Sequence, residues 1–299
     1  MAVVVPTAAF AQTDPKFAHV KGEAPVEDAL WKAQAKGGLV LSGGNSRSTT
    51  GSIGGDVSYK KGLHQVGITS GLTYVESSAR EFVIDSDGPG GPVVTGSERV
   101  SRTTSKRTEA RGRYDRFWSA TDSAYVVAQA LTDKPAGKEI QGGGQIGYSR
   151  LVFKNEMHTI AAELGYDFSY EKAAAAGAEG VPIHSGRAFV ADTIKLTSDT
   201  GVSAGFEVLS NLNEEKEAKA GYVARYGSLG PLKDTRFTGK LQLTTTLLSN
   251  VSFGFGFEAR YDNRPSLLGL PGGASDGGLL PRANRLDTLT EASLIVTFF

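Results

Sequence analysis

The stretch NEMHTIAAELGYDFSYE, Asn155 to Glu171, alternates in character residue by residue. His158, Ile160, Ala162, Leu164, Tyr166, Phe168 and Tyr170 share one parity, and Thr159, Ala161, Glu163, Gly165, Asp167, Ser169 and Glu171 share the other. Successive side chains of a β-strand point to opposite faces. This strand is therefore apolar on one face, apart from His158, and carries carboxylates on the other. Such a strand suits a wall between hydrocarbon and a hydrated interior. Tyr166, Phe168 and Tyr170 would then lie at the headgroup level of one interface.

The pattern recurs. SNVSFGFGFEARYDN sets Val251, Phe253, Phe255, Phe257, Ala259 and Tyr261 against Ser252, Gly254, Gly256, Glu258, Arg260 and Asp262. DTRFTGKLQLTTTL and TGSIGGDVSYKK divide in the same way. Period-two alternation is the strand signal, and runs of roughly 10 to 14 residues exceed the usual globular strand of about five or six. A soluble β-sandwich also alternates, but its strands turn over sooner, and here glycine and small polar residues crowd the polar face, as in QGGGQIGYS. Connections alternate too. KKGLH, WSATD, KNEMH, SDTG and LLSN are tight, whereas 77–104, 172–184, 213–234 and 263–285 are long, and two outer connections, GGNSRS and DKPAGK, are short exceptions. Tight turns on one rim and long loops on the other mark an outer-membrane barrel.

Twelve strands are expected, near 31–43, 48–61, 63–76, 105–117, 122–132, 139–153, 157–171, 186–197, 201–212, 235–247, 250–262 and 287–299. The fold class is thus all-β, a transmembrane antiparallel up-and-down barrel. A thirteenth candidate, AKAGYVARYGSL (218–229), is placed within an outer loop, because a bacterial barrel with both termini in the periplasm has an even count. The alternation of 122–132 and 186–197 is too weak to assign their faces. Tyr114, Phe117 and Trp118 beside a tight turn suit the interface opposite Tyr166. The last strand, SLIVTFF, presents Leu294, Val296 and Phe298 on its apolar face and has the form of an assembly signal, so the barrel-assembly machinery is an expected partner.

Composition sets limits. The chain has 299 residues, 38 glycines, no cysteine and a formal net charge of zero. Zero charge argues against a nucleic-acid partner. No apolar run approaches the roughly 20 residues of a membrane-spanning helix. MAVVVPTAAFAQ ends in Ala9-Phe10-Ala11, a small-x-small cleavage pattern. Residues 1–11 are therefore read as a signal-peptide remnant, 12–29 as a periplasmic linker and 30–299 as the barrel, a monomer in the bacterial outer membrane.

Several segments resemble the salt-induced outer-membrane protein family, also catalogued as domain of unknown function 481. They are GGLVLSGGNSRSTTGSIGGDVSY, RYDRFW, GGGQIGYSRLV, GYDFSYE, EARYDN and the terminal LIVTFF, in the family's order over about 30–299. The resemblance implies an outer-membrane barrel and supplies no catalytic residue, since the family has no established activity.

Little in the sequence points to catalysis, a cofactor or a metal. His64 and His158 begin strands after tight turns and read as interfacial. His184 borders a long loop with no carboxylate at a fixed spacing. DSDGPGG (85–91) lacks the spacing and distal glutamate of a calcium loop. LPGGASDGGLL (270–280) lacks the strand-to-helix setting of a phosphate cradle.

The lumen is the candidate site. Arg107, Glu109, Arg111, Arg113 and Asp115 share one parity, and Asp56, Glu163, Asp167, Glu207, Lys240, Glu258, Arg260 and Glu291 fall on inward parities. The expected partners of the arginine column are Glu109 and Asp115, with Glu163 or Asp167 across the barrel. Such charges either close the barrel as ladders or line a polar path. Two functions follow from the sequence: a narrow passive channel or envelope-integrity protein, and a non-conducting scaffold whose loops bind an external partner. A lipid-modifying enzyme is a third and weaker reading.

Overall fold

A computed structural model describes residues 26–42, 46–85, 93–135, 138–174, 180–216, 228–264 and 285–298. The strands are β1 (Val26–Ser42), β2 (Ser46–Gly62), β3 (His64–Asp85), β4 (Val93–Phe117), β5 (Asp122–Asp133), β6 (Lys138–Lys154) and β7 (His158–Ala173). They continue with β8 (Gly180–Lys195), β9 (Thr200–Asn211), the short β10 (Glu215–Lys216) and β11 (Ser228–Leu229), then β12 (Thr235–Leu248), β13 (Val251–Asp262) and β14 (Leu286–Thr297). All but β10 and β11 close into one antiparallel barrel of 12 strands, in the order β1-β14-β13-β12-β9-β8-β7-β6-β5-β4-β3-β2. β10 and β11 pair only with each other, so the described ends of the extra segment stay outside the wall. Residues 217–227 between them lie outside the described residues, as do Ala9-Phe10-Ala11, most of DSDGPGG and all of LPGGASDGGLL.

A closed sheet leaves no row of unpaired backbone groups, which is what a hydrocarbon solvent demands of β-structure. Closure comes from β1 and β14, paired over Gln34–Gly38 with Thr297–Ser293, and Phe298 N–H adds a bond to Ala33 O at 3.0 Å. The outer face carries large exposed apolar side chains on nearly every strand. Leu39, Ile53, Ile68, Leu72, Ile146, Leu164, Leu241 and Leu294 are each more than half exposed to solvent in the isolated chain. A water-soluble protein rarely exposes so extensive an apolar surface; a lipid-facing barrel must.

Side-chain caps shape three of the tight turns. Ser119 Oγ accepts the N–H groups of Thr121 and Asp122 at 3.1 and 2.9 Å. Asn155 Oδ1 does the same for Met157 and His158 at 2.9 and 2.5 Å, and Thr197 Oγ1 for Asp199 and Thr200 at 3.2 and 3.0 Å. Each side chain stands in for the backbone acceptor that a turn lacks. The β2–β3 turn uses Gly62 instead, at φ +55°, where a side chain would be strained.

Three boundaries differ from the sequence reading. β1 starts at Val26, within the stretch read as linker. The β7–β8 connection is shorter than expected, because β8 starts at Gly180. Of the stretch 77–104, read as a long loop, 77–85 and 93–104 are instead continuations of β3 and β4, paired up to Asp85↔Val93. The extension was obscured because apolar side chains do not alternate along 77–85 and 93–104.

Candidate functional site: the charged lumen

The paired register carries the inward parity from strand to strand. Arg107, Glu109, Arg111, Arg113 and Asp115 on β4 point inside, as do Glu163 and Asp167 on β7, Glu207 on β9, Lys240 on β12, Glu258 and Arg260 on β13 and Glu291 on β14. Tyr114, Trp118, Tyr166, Phe168, Tyr170 and Phe298 are on the outer face, each more than a third exposed. Phe117 is a correction. It turns inward and is 3% exposed, with Lys60 Nζ 5.2 Å from its ring centroid. As an odd residue of β4 it belongs to the parity of Arg113 and Asp115, which proximity to Trp118 hid.

The weakly alternating strands are resolved in the same way. β5 turns Tyr125 and Val127 inward, both 1% exposed. β8 turns Ile183, Arg187 and Phe189 inward, all buried. Their alternation is poor because large side chains face inward there, filling the lumen.

Tyr125 is the centre of this filling. Arg113 lies over its ring at 4.4 Å, and Arg187 Nη1 donates to its hydroxyl at 2.9 Å. Glu163 joins both arginines: Oε1 is 2.8 Å from Arg113 Nη2 and Oε2 accepts from Arg187 Nη1 at 2.7 Å. Arg113 also pairs with Asp115 at 2.7 Å and Arg187 Nε with Glu207 at 2.5 Å. Glycines make room. A Cβ at Gly147 or Gly165 would lie 2.5 Å from the Tyr125 hydroxyl. The network thus lies flat against the inner wall of β4 to β9, and Arg113, Asp115, Glu163, Arg187 and Glu207 within it are paired with one another, as burial requires.

A second group lies on facing walls of the lumen. Arg107 pairs with Glu109, and on the opposite wall Glu258 pairs with Arg260 and, at 3.1 Å, with Lys240. β4 and β12 are six places apart in the ring of 12, hence diametrically opposed. Glu109 and Arg260 nevertheless line the same cavity. At the mouth on the long-connection side, Arg236 reaches Glu171 at 2.7 Å and Asp234 at 3.3 Å. Glu291 pairs with Lys36 at 3.0 Å and accepts from Ser52 at 3.2 Å.

Arg111 departs from expectation. Neither carboxylate of its own strand reaches it, because Glu109 is taken by Arg107 and Asp115 by Arg113. Arg187, Tyr125 and Arg236 are lumen residues that sequence reasoning missed. For Arg236 the inward parity was legible; for the other two the faces were not.

A cavity of about 190 Å³ opens above the Tyr125 network, lined by Arg107, Arg111, Lys138, Gln145, Glu207, Arg236 and Arg260 among others. The described residues contain no group of three His, Cys, Asp or Glu side chains placed to hold a metal ion. The three described histidines sit on the outer face: His64 Nδ1 lies 2.7 Å from the Tyr114 hydroxyl, His158 Nδ1 lies 2.8 Å from Asp192, and His184 contacts Tyr166.

The sequence matches the family described as protein of unknown function, DUF481, over residues 35–298. The chain belongs to the DUF481 family. No curated relative matches this DUF481 barrel. Among solved structures it is similar to the NanC porin, at 11% identity and TM-score 0.41, covering 89% of this chain and 97% of that one. It is also similar to OmpT, an outer membrane protein of Vibrio cholerae, at 8% identity and TM-score 0.38, covering 90% and 97%. The outer membrane channel DcaP of Acinetobacter baumannii gives 10% identity and TM-score 0.36, covering 92% and 100%.

Proposed function

We propose that this DUF481 protein resides in the bacterial outer membrane as a narrow passive channel. The tight turns would face the periplasm and the long connections the exterior. One observation carries the reading: the lumen is lopsided. The inward side chains of β4, β5 and β8 are mostly large and buried, with glycines of β6 and β7 making room for them, whereas Gln34 on β1, Ser52, Asp56 and Ser58 on β2, Thr238, Gln242 and Thr244 on β12 and Ser252 on β13 are small or polar and partly exposed. Water therefore has access along one inner wall, beside a packed network on the other. Twelve strands lie between barrels of about 8, which side chains fill, and those of 16–18, which hold an open channel. In this reading the pairs Arg107–Glu109 on one wall and Glu258–Arg260 on the other form the constriction, and charges of fixed position at a constriction set selectivity. In this reading the chemistry is positional, with solute moved by its gradient and no bond broken.

Planar-bilayer recording of refolded protein tests this. Discrete steps well below those of a wide porin are expected. A silent barrel, in protein whose folded state is verified, would turn the reading toward a scaffold. The β3–β4 hairpin, continuing past Ala79, the last residue that β3 pairs with β2, gives that scaffold reading its own support.

A further inference from the structure

We propose that the outer half of the lumen is a binding site for small carboxylate-bearing organic anions, captured by Lys138 and Arg111. This inference rests on the channel reading and names its solute class.

The argument begins with two glutamines of β6, four residues apart and both facing inward. Gln141 Nε2 donates to Glu171 Oε1 at 2.8 Å, while its Oε1 accepts from Lys138 Nζ at 3.0 Å. Gln145 Nε2 donates to Asp167 Oδ2 at 2.9 Å, while its Oε1 faces Arg111 Nη2 at 3.5 Å. Each amide thus stands between a cation and a carboxylate. Its two ends satisfy both groups in direction but neutralise neither.

The effect is selective. Arg107, Arg236 and Arg260, which line the same cavity, each have a carboxylate partner. Arg111 and Lys138, which also line it, have none within ion-pair distance among the described residues. Arg111 goes further: its one bond is long for a hydrogen bond, and its Nε is buried without a partner. The nearby carboxylates are otherwise engaged, Glu171 by Arg236 and Glu207 by Arg187. A guanidinium whose Nε is buried without a partner is costly unless an anion completes it. The planar guanidinium suits a carboxylate, which can accept two parallel bonds from it.

Position adds a sequence of events. Lys138 is at the outer end of β6, opposite Asp133, whereas Arg111 is opposite Gln129 on β5. Four residues of strand separate the two levels, about 13 Å. An incoming anion meets the ammonium first and the guanidinium deeper, just above the packed Tyr125 network.

The test uses full-length refolded protein with glutarate as probe, read by calorimetry at low salt and by reversal potential in a potassium chloride gradient. Wild type is expected to bind glutarate and to prefer anions. Arg111→Gln and Lys138→Gln should each weaken binding about tenfold or more. Gln145→Glu keeps Arg111 in place but gives it an internal carboxylate, and should also weaken binding. Folding of each variant is checked by its heat-dependent gel mobility. If Arg111→Gln does not fold, Lys138→Gln at the half-exposed mouth carries the test. Conductance without glutarate binding, or binding unchanged in the variants, overturns the anion site and leaves the channel. Binding lost in the variants of a barrel that never conducts overturns the channel and leaves the site.

Discussion

Arg187 on β8 donates a 2.9 Å hydrogen bond to the hydroxyl of Tyr125 on β5, spanning the two intervening strands across the inner wall. The same guanidinium holds Glu163 and Glu207, so one side chain joins four strands of the barrel. Glu163 in turn bridges Arg187 to Arg113, and is wholly enclosed.

Removing that bridge should be costly. Glu163→Ala leaves two buried guanidinium groups facing each other with a cavity between them. Loss of one partner from a buried ion network typically costs about 3–5 kcal/mol. Reversible urea unfolding in lipid vesicles should show a destabilisation of that size. A change below about 1 kcal/mol would mean that water already screens the network.

Gly165 tests how tightly Tyr125 is held. An alanine Cβ there would lie 2.5 Å from the Tyr125 hydroxyl and 2.7 Å from Ile146 O. Overpacking of this kind costs about 1–3 kcal/mol. Tyr125→Phe removes the hydroxyl clash but leaves the backbone one, so the double variant Gly165→Ala/Tyr125→Phe should recover part of the loss. Additive losses in the double variant would show that the two residues do not touch.

The chain has two tryptophans, Trp31 and Trp118, both more than half exposed on the outer face. Trp31 packs on Tyr59 with centroids 4.7 Å apart, and Trp118 stacks on Tyr148 at 5.8 Å. Both lie toward the tight-turn end, where aromatic rings favour the membrane interface. Lipids brominated near the headgroup should therefore quench the intrinsic fluorescence more than lipids brominated near the chain ends. The reverse order would place this ring of aromatics in the bilayer core.

Orientation is open to a direct measurement, because the native chain has no cysteine. Lys134→Cys, beyond the outer end of β5, should react with an impermeant thiol reagent on intact cells. Ser119→Cys, in a tight turn, should react only after the outer membrane is breached. The opposite pattern would invert the barrel.

The sequence by itself determined the barrel. Period-two alternation gave most well-patterned strands within a few residues, β3 and β4 falling short at their far ends, and with the even count it gave the 12 strands of the ring. These signals are local, since every lipid-facing residue obeys the same solvent. Parity also gave the inward direction of Arg107, Glu163, Asp167 and Glu258, for a strand has only two faces. What parity could not give was β5 and β8, where Tyr125, Val127 and Phe189 face inward against the rule that the lumen is polar. Nor could it give the partners. Arg113 found Glu163 three strands away, while Arg111, on the same face of the same strand, found no carboxylate. That difference was decided by the tertiary structure alone. Ring closure sets which strands face each other across the lumen, and side-chain reach from a curved wall decides which charges meet and which a glutamine keeps apart.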